Sequence, residues 1–113
     1  MRTDLSYLNN LTGGSKPLIE EMVKIFEDQV SEFSDELNTL LKKEDWPALG
    51  KLAHKAKSSV AIMGMNELAD DLKNLELLAR ESKETNTYKT TIEKFNKQCS
   101  EAIVELNNYI NTL

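Results

Sequence analysis

Apolar residues recur every three or four positions through most of the chain, in stretches separated by short polar or glycine-bearing breaks. The longest stretch predicts a helix from about Lys16 to Lys43. Its stripe is Ile19, Met22, Val23, Phe26, Val30, Phe33, Leu37, Leu40 and Leu41. Ser15 is placed to cap it, Pro17 is tolerated in a first turn, and Lys42 and Lys43 suit the negative end of the helix dipole. A short run from Asp4 to Asn10 precedes it, with Leu5, Leu8 and Leu11 on one side, Asp4 as its cap and Gly13-Gly14 as its stop.

Asp45-Trp46-Pro47 reads as the cap and first turn of a third helix reaching to about Met63. Its buried face is Leu49, Leu52, Ala53, Ala56, Val60 and Met63, and Gly64 stops it. A fourth helix begins near Asn66 and buries Leu68, Leu72, Leu75 and Ala79. Arg80 to Asn86 is polar enough to be a connection. The last helix, about Thr87 to Thr112, buries Tyr88, Ile92, Phe95, Cys99, Ile103, Leu106 and Ile110. No strand signal competes. The expected fold is all-α: an antiparallel up-down four-helix bundle in one domain over residues 1–113, with the short N-terminal helix capping one end.

Composition narrows the classes. A chain of 113 residues can bury roughly two thirds of its unfolded surface without staples. A net charge of -5 argues against nucleic acid, which needs a basic footprint. One cysteine, Cys99, leaves no disulfide framework and suits a reducing, cytoplasmic compartment. It falls on a buried stripe, as a core thiol. No apolar run is long enough for a membrane span and no signal-peptide pattern opens the chain. One cysteine and one histidine far apart give no zinc site, and no Gly-rich nucleotide loop is present.

That histidine, His54, is the chemically distinctive residue. With Leu49 as the core line, about 100° per residue puts Ala53, Ala56 and Val60 within about 40° of it and His54 at roughly 140°. Gly50, Ser58 and Ala61 lie on the histidine's side and are small, a low platform that another protein could approach. Lys51 and Lys57 are three residues either side, and Lys55 adds charge. From Lys42 to Lys57 there are five lysines against Glu44 and Asp45, a basic patch on an acidic protein. Taken alone, an exposed histidine and a few lysines are more often a solvated helix face than a site. Glu67, Asp70, Asp71 and Glu76 read likewise as a solvated face. Met63 and Met65 read as packing, and Trp46 as an anchor at the end of the bundle.

The run Ala53-His54-x-x-Lys57-x-Ser59-x4-Gly64 resembles the signature of histidine-containing phosphotransfer (HPt) domains of multistep two-component phosphorelays. Further similarity covers Asp4-Leu5-Ser6-Tyr7-Leu8 with Leu11 and Gly14, Phe26, Asp45-Trp46, and Leu72-x2-Leu75-Glu76. Two positions depart from the pattern: Ser58 stands where the family usually has Gly, and Ala56 where it has a larger aliphatic residue. A bulkier residue facing Ala56 would compensate.

The resemblance implies that His54 is the phospho-acceptor, relaying a phosphoryl group between receiver-domain aspartates, with Lys57 stabilising its charge. The chain would be a relay intermediate without kinase activity of its own. Its partners would be response-regulator receivers and a hybrid sensor kinase, and it would act as a monomer. It needs no cofactor, since no carboxylate pocket beside His54 is visible and Mg²⁺ would come with the receiver. Docking would use the surface around Gly50, Lys51, Lys55, Ser58, Ala61 and Ile62, with Leu77 a further apolar candidate. The alternative is a non-catalytic helical adaptor that binds a receiver or another helical protein without being phosphorylated. A hydrolase using His54 as general base lacks a nucleophile and an orienting acid.

Overall fold

A computed structural model describes residues 5–113. Every described element is helical: α1 (Leu5–Thr12), α2 (Lys16–Lys43), α3 (Trp46–Ile62), α4 (Asn66–Arg80), a 3₁₀ turn (Thr85–Thr87) and α5 (Tyr88–Asn111). The expected cap Asp4 lies outside the described residues.

Helix ends follow local chemistry. Gly13 and Gly14 stop α1 at φ of +64° and +77°, and Gly64 stops α3 at φ +76°, a conformation that residues with a Cβ resist. Asp45 caps α3 by accepting from the Ala48 amide at 3.3 Å. Ser15 holds the cap position of α2, but its side chain makes no capping bond; its carbonyl accepts from the Ile19 amide instead. Arg80, expected in the connection, is the last residue of α4.

One core cluster draws on all five α-helices. In α2, Ile19, Val23, Phe26, Val30 and Leu37 are buried, each such side chain contributing about 1.5–3 kcal/mol, while Met22, Phe33, Leu40 and Leu41 pack at its margin. All six residues expected on the core face of α3 are buried, as are Leu68, Leu72, Leu75 and Ala79 of α4. Cys99 is fully buried, and burial pushes its thiol up to about 12. Leu11 departs from expectation: it is 49% exposed, since two successive three-residue steps rotate it about 120° from Leu5. Trp46 is half-buried and meets Tyr88 edge-on with ring centroids 5.1 Å apart, joining the start of α3 to the start of α5.

Two helix pairs matter for position. Along α2 and α5, Asn107 donates to Glu27 at 2.9 Å, and Ser34 donates to Asn96 at 2.7 Å. Along α3 and α4, the most extensive contact in the molecule, Gly50 lies against Ala79 and Arg80 while His54 lies against Glu76.

Candidate functional site

His54 is exposed on α3, with 56% of its side chain open to solvent. It does not stand alone. Its Nδ1 lies 3.0 Å from Oε1 of Glu76, across the seam from α4. Glu76 is buried, its side chain only 7% exposed. The same Oε1 is 3.9 Å from Nζ of Lys57, and Oε2 is 2.5 Å from the guanidinium of Arg80, one turn on along α4.

Glu76 corrects the expectation of a solvated acidic face: it is a buried carboxylate beside His54. On the wheel, Glu76 falls about 40° beyond Leu72, between it and the buried Ala69 at the edge of the core face. Its residue type places it in water; its angle places it at the margin of the stripe, where burial is possible. Its pairing with Arg80 at i+4 was a second signal. Asp71 also departs from the solvated face, being half-buried with Oδ2 at 2.6 Å from Nζ of Lys94 on α5.

The electrostatics follow from burial and neighbours. Burial alone would push the Glu76 carboxyl up. The His54 hydrogen bond and the charges of Arg80, His54 and Lys57 outweigh it and hold the group below its ordinary value. Glu76 is therefore ionised at neutral pH and can only accept hydrogen bonds. The proton in the His54–Glu76 bond must then sit on Nδ1. A neutral imidazole carrying its proton on Nδ1 has its lone pair on Nε2. A nitrogen nucleophile on an exposed ring, beside two cations, can accept an electrophilic anion.

Gly50 is a second correction. It belongs to no open platform but is buried in the α3–α4 seam, where a Cβ would meet the Glu76 carbonyl at 3.3 Å and the Ala79 Cβ at 3.4 Å. Without a side chain at 50, α4 comes close enough for Glu76 to reach His54. Of the other neighbourhood residues, Lys51, Lys55 and Ser58 are exposed, Ala61 is half-buried against the core, and Lys57 is 27% exposed.

Ile62 is 46% exposed and turns to the other side of α3. With Met22, Ile25, Phe26, Gln29, Ser59 and Met63 it lines a groove of about 220 Å³ between α2 and α3. Ile25 is itself 50% exposed, an apolar position on α2 outside the expected stripe. Leu77 is 51% exposed, three residues before Arg80.

The model of the Hpt domain matches residues 21–111, most of the described chain, His54 and Glu76 included. The chain belongs to the Hpt domain family. No curated protein and no solved structure was found to match it. Hpt domains are helical phosphoryl carriers, not kinases, acting with receiver domains in phosphorelays. This Hpt domain has one histidine, His54, and its side chain is exposed. Among the described residues no helix is long and apolar enough to cross a membrane.

Proposed function

We propose that His54 accepts a phosphoryl group through Nε2 from the aspartyl phosphate of a receiver domain and passes it to the aspartate of another. The observation that carries this reading is the bond from Nδ1 of the exposed ring to the buried carboxylate of Glu76, which in the neutral imidazole places the lone pair on Nε2. In the forward step the Nε2 lone pair forms the N–P bond while the acyl-phosphate P–O bond breaks, its electrons staying on the receiver's carboxylate. The ring gains positive charge as it donates, and the adjacent Glu76 carboxylate stabilises that charge. In the reverse step the same proton on Nδ1 makes neutral imidazole the leaving group.

Phosphoryl transfer of this kind asks the protein for positioning and charge stabilisation. Lys57 supplies charge. An ammonium some 6 Å from a phosphoryl dianion near a surface is worth on the order of 1–3 kcal/mol before salt screening. Mg²⁺ belongs to the receiver, and Hpt and receiver together complete the site.

For docking, the reading assigns the surface of Lys51, Lys55, Ser58, Ala61 and Ile62, with Leu77 on the α4 side; Gly50 acts from within the seam. The groove beside Ile62 gives the receiver apolar area close to the acceptor helix. The four long helices form an antiparallel up-down bundle in this reading. It is supported by paired positions whose numbers run in opposite directions: 27 with 107 and 34 with 96, then 50 with 79 and 54 with 76. α1 caps one end, where Tyr109 donates to Asn9 at 2.6 Å. The domain acts as a monomer in the cytoplasm, with a hybrid sensor kinase among its upstream partners.

Intact-mass analysis after incubation with a phosphorylated receiver tests the proposal. Wild type gains one acid-labile, base-stable phosphate, and His54→Gln, equally folded, gains none. Equal receiver binding by both proteins with no phosphate on either would instead make the chain an adaptor.

A further inference from the structure

We propose that Arg80 is a positioning residue: by holding the second oxygen of Glu76, it fixes the tautomer of His54. This rests on the phosphotransfer reading for its purpose, since it names what keeps Nε2 free, but its first readout needs no phosphate.

A glutamate side chain can rotate its carboxylate unless both ends are held. Oε1 carries the His54 bond at 3.0 Å, and Oε2 carries Arg80 at 2.5 Å. Lys57, at 3.9 Å from Oε1, is within ion-pair range but beyond hydrogen-bond distance, so it attracts the group without aiming it. Among the described residues, Arg80 alone lies within hydrogen-bond distance of Oε2. Its aim is helped by the backbone: Glu76 and Arg80 are one turn apart on α4, with Arg80 in the final turn. The Arg80 Cγ also lies 3.7 Å from where a Cβ on Gly50 would be, so its stem runs along the close-packed seam. The Arg80 side chain is 59% exposed, while its Nη2 reaches the buried carboxylate.

Without Arg80, one oxygen of a buried carboxylate lacks its partner. The group then turns toward Lys57 or toward water, the Nδ1 bond loosens, and the ring exchanges between its two tautomers. In the Nε2–H tautomer the nucleophilic lone pair is on the wrong nitrogen. Arg80 acts through Glu76, not through the phosphoryl group, and that route separates it from a simple cation at the site.

The chain's single histidine makes the measurement clean. Two-bond ¹H–¹⁵N spectra of the ring, in solution alkaline enough to leave it neutral, are recorded for wild type, R80Q, R80K and E76Q, and for the E76Q/R80Q pair. Circular dichroism melts confirm that each is folded. Wild type shows Nδ1 protonated and Nε2 bare. R80Q moves both nitrogens toward averaged shifts, and R80K falls between. R80Q also slows phosphate acceptance about two- to fivefold, the scale of a half-exposed ion pair. In the E76Q background, adding R80Q leaves both spectrum and rate where E76Q alone put them.

An R80Q ring spectrum identical to wild type overturns the proposal. So does an equal loss of rate from R80Q in the wild-type and E76Q backgrounds, which would mean direct action on the phosphoryl group. If wild type accepts no phosphate while the spectra behave as described, the function fails and the positioning role stands.

Discussion

The seam between α3 and α4 and the seam between α2 and α5 are closed by different chemistry. Along α2 and α5 the polar contacts sit at the margin: a serine with an asparagine, and an asparagine with an exposed glutamate. Either could be replaced by water at small cost. Between α3 and α4 a carboxylate is buried among a histidine, a lysine and an arginine. Removing both cations would leave the buried carboxylate uncompensated, whereas no buried charge lies in the other seam's two contacts. The first seam holds helices together. The second holds a ring at a fixed orientation, and it needs the helices closer to do so.

Gly50→Val would break the contrast most severely. Its side chain must enter a space where a single Cβ already meets backbone oxygen at 3.3 Å, so a loss of about 1–3 kcal/mol is expected in urea melts. A stability equal to wild type would show that the seam is slack and does not set the reach of Glu76.

Glu76→Gln keeps an acceptor for Nδ1–H and removes the charge. Hydrogen bonds to charged groups exceed neutral ones by about 1 kcal/mol, so phosphate acceptance should slow about five- to tenfold. An unchanged rate would reduce the carboxylate to a hydrogen-bonding prop.

The same pair of proteins tests the ionisation. A carboxyl held below its ordinary value of 4.5 stabilises the fold fully above that value, and the stabilisation is lost as pH falls through the lower folded value. The stability difference between wild type and Glu76→Gln should be flat near neutrality and shrink once the pH drops below about 4.5. A difference unaltered by acid would contradict the assignment.

Ser34→Ala sets the lower bound. It should cost about 0.5–1 kcal/mol and leave the rate of phosphate acceptance as it was. A slowed rate would mean that the far seam also reports to His54.

Legibility in the sequence divides along the same line. The limits of α2 match the observed helix because a long run of apolar spacing is bounded by Ser15 and Pro17 on one side and two lysines on the other. His54 and Lys57 were visible as motif, and Gly64 as a stop, because each acts within its own helix. Gly50 and Glu76 were misplaced because their roles depend on a neighbouring helix. A wheel drawn for α3 alone cannot show that α4 covers Gly50. Glu76 is assigned to water by its charge, because its angle lies only at the margin of the stripe and its partners His54 and Lys57 are on another helix. Ile25 was missed for a related reason: an apolar residue left outside the stripe gives no sign of the groove it will line with Ile62.

The bond from Tyr109 to Asn9 joins residues 100 positions apart. A force applied to residues 5 and 113 would load that link first, then peel α1 and α5 away from α2. The α3–α4 hairpin carrying the histidine lies at the end of this path of tension. It would be the last part to feel the pull.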